Sequence, residues 1–354
     1  MTPWEQLGLA IGHATDHDGA TGCSVIRGIS APFRCSAALL GRASGTRELA
    51  TCDADHLVDR TDAFLRTGGS AYGLDAAAGV MRWMEERGRG FPVGGGVVPI
   101  VPTAVIFDLA PLGRFEARPT ADMAYVACDQ ASATLIAEGS VGAGAGALVG
   151  KAVGPSAAMK GGVGIGVGIG VAESGGELAA AFAVVNAFGD VRDDEGRIIA
   201  GARDGREGFL DAVRSLRGQD APAAFALMAS VRRNTTLVSV AVSTPLTKAQ
   251  LSPLARVTTA ARHHRITRCG TSFDGDVLFA ASRLNTIPGF AAADELPLAR
   301  IEAVAGAAVE RDRARCGDRT RSRWHSRRGR HPRLIRSRDS SVSLLLRDLR
   351  WALH

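Results

Sequence analysis

Apolar positions along the chain fall into short runs separated by glycine-rich turns. Residues 8–30 place turn signals (Gly12, Asp16, Asp18-Gly19, Thr21-Gly22) around such runs, which predicts strands and turns. In 74–87 the spacing becomes helical, with Leu74, Ala77, Ala78, Met81 and Met84 on one face, and Gly88 and Gly90 close the helix. The run 97–109 ends as a buried strand, while Pro99 and Pro102 confine its start to a loop or a sheet edge. A helix is expected over 120–137. Apolar runs at 179–186, 236–243 and 277–280 predict three further strands. A helix from 246 to 261 has to accommodate Pro253, and a last helix starts at Pro297 and runs to Glu310. The stretch 139–172 is dominated by glycine, with Gly-x alternation from Val163 to Gly170. The stretch 188–233, rich in Asp, Arg and Gly, reads as a surface linker.

At 354 residues the chain is long enough for a sizeable core in one large domain or two smaller ones. Its 43 glycines against 5% aromatic residues favour close backbone packing and tight turns over an aromatic core. The N-terminus lacks the basic start and apolar stretch of a signal peptide, and no segment reaches the roughly 18 uninterrupted apolar residues of a membrane span. A cytoplasmic location is therefore expected. The six cysteines are scattered without a CxxC pair, so reduced thiols are expected rather than a metal site or a disulfide framework.

The net charge of +6 belongs to one end of the chain. Residues 311–354 hold fourteen Arg and four Asp, a local charge of +10, and the other 310 residues carry 28 basic and 32 acidic groups, a charge of −4. The basic balance therefore says nothing about partners of the main body. Beyond Glu310 the regular helical pattern is expected to give way to an Arg-rich tail. Such a tail could bind nucleic acid or anionic lipid through its charge, could be disordered, or could come from a shifted reading frame. The abrupt Arg, Ser and His bias in an Ala-, Gly- and Val-rich chain favours the shifted frame.

Several groups carry candidate chemistry. Asn234-Thr235 stands directly ahead of an apparent strand. It reads as a turn into that strand, or as a cleavable junction. Cleavage would turn Thr235 into an N-terminal residue whose hydroxyl is a nucleophile and whose α-amine, with a pKa of about 7.7–8.0, is a base. Gly68-Gly69-Ser70 before a helix offers backbone N–H groups to an anion or oxyanion; the plainer reading is a tight loop. Asp274-Gly275-Asp276 is either a solvated turn or two carboxylates converging on one site across a glycine bend. His13 and His17, four apart, invite a metal, but glycines on both sides argue against the helix that would align them. The glycines of 139–172 match neither GxGxxG nor GxxxxGK[ST] spacing, which makes a nucleotide loop a weak reading.

In their order along residues 10–310, these stretches resemble the L-aminopeptidase/D-esterase family, which includes β-peptidyl aminopeptidases and nylon-oligomer endo-amidases. The resemblance is carried by TGGSAYGLDAAAG at 67–79, GRGFPVGGGVVPIVPTAVIFDL at 88–109, 138–146, 159–164, 185–189, 234–237, LTKAQ at 246–250 and 273–279. It implies a single α/β domain with the layered sandwich of N-terminal-nucleophile hydrolases, formed from two autoprocessed chains. The domain would cover 1–310, as an α chain 1–234 and a β chain from 235, with the tail outside it. By the same resemblance the cut falls between Asn234 and Thr235, and Thr235 corresponds to the nucleophile. Asp274 and Asp276 correspond to the polar pair that polarises it, Asn186 to the oxyanion donor and Lys160 to a lysine beside the nucleophile. Tyr125 corresponds to a substrate-contacting tyrosine, and Gly69 and Ser70 join it as candidate substrate contacts.

The expected activity is that of an aminopeptidase or esterase on short peptides, amino-acid amides or esters, working through an acyl-enzyme without a cofactor. An endo-acting oligoamide hydrolase and an uncleaved, inactive relative are the alternatives. The expected partners are a small peptide or amide substrate and further copies of the αβ unit; neither membrane nor nucleic acid is expected.

Overall fold

A computed structural model describes residues 1–110, 112–172, 175–206, 208–218, 234–285 and 298–319. Two five-stranded sheets lie face to face between two pairs of helices. The first sheet is built from β1 (Leu9–Asp16), β2 (Thr21–Gly28), β4 (Thr46–Arg47), β5 (Ala63–Thr67) and β6 (Thr103–Val105), in the order β1-β2-β5-β6-β4. The second contains β3 (Arg34–Leu39), β7 (Gly162–Ala172), β8 (Gly175–Asn186), β11 (Thr235–Val242) and β13 (Val277–Ser282), in the order β7-β8-β11-β13-β3. β11 and β13 run parallel at its centre, and the other neighbours in this sheet are antiparallel.

The alternation within the strands explains the layering. Leu237 and Ala241 of β11 face the first sheet, where they join Ile11, Ile26, Phe64, Ile106, Phe182 and Phe279 in the core between the sheets. Val238, Val240 and Val242 point the other way, onto α3 (Lys248–Arg265) and α4 (Leu298–Arg319). The outer face of the first sheet is covered by α1 (Ala77–Glu85) and α2 (Ala121–Asp129), with Val80, Met84, Ala124 and Ala127 buried there. The result is a helix–sheet–sheet–helix sandwich.

The Gly-x alternation of 162–170 is strand β7. Its Val163, Ile165 and Val167 serve the inter-sheet core, and its glycines form the opposite face. A Cβ on Gly168 would stand 2.2 Å from the Val304 carbonyl oxygen, so the bare face is what lets α4 lie directly on the strand.

Four expectations change. The helix from 120 stops at Asp129, because Ser132 leaves the helical path to exchange two backbone hydrogen bonds with Ile11 at the edge of β1. The stretch after 188 is not a linker where it is described. It forms β9 (Asp190–Arg192) and β10 (Ile198–Ala200), which join β12 (Ile266–Thr267) in a small sheet ordered β10-β9-β12. The buried Asp190 carboxylate ties this region together by accepting from the Ala212 N–H at 2.7 Å. The part of that stretch from 219 to 233 lies outside the described residues. α3 runs through Pro253 to Arg265, since the burial of Leu251, Leu254, Ala255 and Ala261 outweighs the roughly 3 kcal/mol cost of an interior proline. Finally, α4 crosses the expected boundary at 310 and continues to Arg319, consistent with the good helix propensity of Arg and Ala in that extension. The expected disordered or frame-shifted tail falls, from 320 onward, outside the described residues. Among the described residues no helix is long and apolar enough to cross a membrane.

Candidate active site

Three adjacent chain segments meet at one end of the second sheet. β8 ends at Asn186, β11 begins at Thr235 directly opposite it, and Asn234 pairs in a parallel bridge with Asp274 in the loop before β13. The register of the central strands therefore brings together Asn186, Asn234, Thr235 and the 274–276 loop, which are far apart in sequence. All of them are buried.

The junction has a specific geometry. The Thr235 Oγ donates to the Asn234 carbonyl oxygen at 2.7 Å, and the Gly275 N–H donates to the same oxygen at 2.9 Å. One peptide carbonyl is thus approached by the hydroxyl that follows it in the chain and by a backbone donor from a neighbouring loop. The side-chain nitrogen and oxygen of Asn234 have no partner among the described residues.

The two aspartates differ in what they touch. Asp276 accepts from the Thr236 N–H through Oδ1, and from the Gly270 N–H and the Arg262 guanidinium through Oδ2. Asp274 accepts from the Thr271 N–H at 2.7 Å through Oδ2, while its buried Oδ1 has no partner. Burial, and then the neighbouring Asp276 charge, push the Asp274 carboxyl up to about 6, against the pull of Thr271 and of Lys151.

Lys151 reaches the site by a route that the sequence reading missed. It is buried, and its Nζ donates to both the main-chain and the side-chain oxygen of Asn186 at 2.8 Å. The Leu148 N–H also donates to Asn186 Oδ1, which leaves Asn186 Nδ2 as the donor end of the amide; it lies 3.2 Å from the Phe107 carbonyl oxygen. A lysine inside the apolar run 147–153 is the signal that could have found it. Arg262 was missed as well, although it lies four residues after the buried Thr258 on the buried face of α3.

The remaining predicted residues stand differently. Lys160 donates to the Gly144 and Ala147 carbonyl oxygens, next to the strand pair Leu148–Val149 and Met159–Lys160 that adjoins Asn186. The N–H groups expected to be free at 68–70 are already engaged: Gly68 with the Gly22 carbonyl, Gly69 with Asp108 Oδ1 at 2.6 Å and Ser70 with the Ile106 carbonyl. Tyr125 is not brought to the junction by any of its contacts. Its hydroxyl donates to Glu86 and the Arg82 guanidinium lies over its ring, on the outer surface of α1 and α2.

The fold agrees with the comparisons to known proteins. The family model of peptidase family S58 matches residues 7–313, and the chain belongs to that family. It is 36% identical over 293 residues to an uncharacterized aminopeptidase of Mycobacterium leprae (strain TN), covering 77% of this chain and 76% of the relative. It is 29% identical over 301 residues to a 6-aminohexanoate-oligomer endohydrolase of Agromyces sp. (strain KY5R), covering 82% and 78% of the two chains. Among solved structures, the L-aminopeptidase D-Ala-esterase/amidase of Ochrobactrum anthropi, described as a variant of the Ntn hydrolase fold, superposes with a TM-score of 0.62. That match has 17% identity and covers 88% of this chain and 83% of the other. The sandwich is thus of the Ntn-hydrolase type, and the chain is a peptidase or related amide hydrolase by family.

Proposed function

We propose that the chain is an amide hydrolase of the aminopeptidase kind that cuts itself between Asn234 and Thr235 and then uses the new N-terminal threonine. The observation that carries this reading is the contact between the Thr235 hydroxyl and the Asn234 carbonyl, with the Gly275 N–H on the same oxygen. In the uncut chain Thr235 Oγ attacks the Asn234 carbonyl carbon and gives up its proton to the unpartnered oxygen of Asp274. The developing oxyanion is stabilised by Gly275 N–H, a kind of donor whose loss costs about 3–4 kcal/mol of transition-state stabilisation. The C–N bond breaks as the Thr235 nitrogen takes up a proton, and water hydrolyses the resulting ester.

In the mature form the Thr235 α-amine serves as the base for its own hydroxyl, which attacks a substrate amide or ester and forms an acyl-enzyme. Asn186 Nδ2 is the side-chain donor for the substrate oxyanion, because its Oδ1 is already held by Lys151 and Leu148. Lys151 fixes that orientation and adds positive charge beside Asp274. Lys160, in this reading, supports the neighbouring backbone. Short peptides, amino-acid amides and esters are the proposed substrates, and further copies of the cut unit the proposed partners. The likeness to a 6-aminohexanoate-oligomer endohydrolase supports a second reading, endo-action on oligoamides. N-acetylation of the substrate separates the two: it abolishes aminopeptidase turnover and leaves endo-cleavage intact.

The intact mass of the purified chain tests the proposal. Two fragments divided before Thr235 are expected; a single whole chain that hydrolyses nothing points instead to an uncleaved, inactive relative. The pH dependence of self-cleavage adds a second check. Asp274 accepts the proton only as a carboxylate, so below about 6 the rate is expected to fall roughly tenfold per pH unit and above it to level off. Asp274→Asn is expected to slow the cut and remove that inflection. A flat wild-type profile between pH 5 and 7 would take Asp274 out of the proton transfer.

A further inference from the structure

We infer that Arg262 is a positioning residue for the reaction, setting through Asp276 the protonation of the amine that is released at Thr235. The inference rests on the Thr235 reading above.

The arrangement is a relay of contacts across one carboxylate. Asp276 binds the start of β11 through the Thr236 N–H on Oδ1, and binds Arg262 Nη1 through Oδ2, with the Gly270 N–H as a second donor on that oxygen. Both charged side chains are buried, at 1–2% exposure, so the pair is not a surface ion pair screened by water. Gly270 makes room for it. Its φ is +67°, and a Cβ there would lie 2.9 Å from Arg262 Nη2.

Stability alone does not account for the arginine. Its Nε and Nη2 are buried without partners among the described residues. An apolar side chain in place of such a pair is often neutral or stabilising. The charge balance gives it a purpose. Asp274 and Asp276 are the negative groups at the junction. Lys151, beside Asn186, and Arg262, on α3, are positive groups there, and Lys160, on the strand pair that adjoins Asn186, adds a further cation. Arg66 of β5 meets β11 further along, at Ser239 Oγ. A cut before Thr235 places a new amine next to the residue whose N–H binds Asp276. With Arg262 in place the Asp276 charge is offset, and the amine loses its proton easily enough to act as a base. Without Arg262 an uncompensated carboxylate holds the amine as ammonium.

The test is the pH profile of kcat/KM for an amide substrate, measured on the self-cut enzyme. Arg262→Gln is expected to move the ascending limb up by about one pH unit, a roughly tenfold loss of activity at neutral pH that recovers at higher pH. Arg262→Lys, which keeps the charge, should leave the limb near its wild-type position. Gly270→Ala pushes the guanidinium away from Asp276 and should shift the limb in the same direction as Arg262→Gln, by less. If Arg262→Gln does not fold, the Gly270→Ala profile decides. A lower Tm with an unmoved limb in whichever variant decides makes Arg262 a structural residue and overturns the inference, while leaving the Thr235 reading intact. A wild-type chain that neither cuts itself nor hydrolyses anything removes the Thr235 reading, and this inference with it.

Discussion

Thr235→Ala is expected to leave a single uncut chain of 36.8 kDa with no measurable amide hydrolysis. The alanine keeps the strand and loses the oxygen that touches the Asn234 carbonyl together with one methyl group, so the fold is expected to survive. Loss of a nucleophile that is also the cleavage trigger removes both steps, and in hydrolases such losses reach about 10⁶-fold in kcat. Thr235→Ser keeps an oxygen at the same place and should still be cut. A denaturing gel and intact mass for the three proteins settle the matter. Fragments divided before residue 235 in the alanine variant would sink the self-cleavage chemistry proposed here.

Lys151→Met carries the second largest expected effect. Methionine has nearly the same length and no charge, so the two 2.8 Å hydrogen bonds to Asn186 disappear while most of the packing stays. Asn186 loses the cation that fixes its amide, and Asp274 loses a positive neighbour that lowers its pKa. Turnover of an amide substrate by the self-cut enzyme is expected to slow by about 10²–10³-fold, the scale seen when one aligned oxyanion donor is lost. Stability should fall by about 1.5–3 kcal/mol, the range for a hydrogen bond to a charged group. Time courses of substrate hydrolysis at pH 7 give the first quantity, and urea denaturation in a Thr235→Ala background gives the second without interference from the cut. A variant that hydrolyses substrate as fast as its parent would assign Lys151 to packing only.

Much of this architecture could be read from local pattern. Continuous apolar runs marked β8, β11 and β13, and the junction at Asn234-Thr235 stood out because a hydroxyl residue opens a strand. What escaped depends on long-range pairing. Lys151 sits in a glycine-rich stretch whose spacing says nothing of a strand end 35 residues away. Arg262 has the charge of a solvated residue and the position of a core residue, and only the packed helix decides between them. The Gly-x alternation of β7 resembled a loop because glycine hides the strand period until a helix is laid on its bare face. Asp190 made its stretch look like a linker, yet its carboxylate is a buried acceptor for backbone donors. The N–H groups at Gly69 and Ser70 looked available because their acceptors, Asp108 and Ile106, lie almost 40 residues further on.

If the proposed cut occurs, the strand order of the second sheet has a consequence for the lifetime of the processed molecule. A cut before Thr235 puts β11 and β13 on one fragment and β7, β8 and β3 on the other, so the second fragment's strands enclose the first's on both sides. Before the cut, refolding is a unimolecular search. After it, the two pieces must find each other by diffusion, and each alone exposes the edges and apolar faces that the other covers. Maturation then acts as a ratchet. The uncut chain can recover from unfolding at any dilution, whereas the processed pair recovers only when concentrated, and its survival is governed by how slowly it opens.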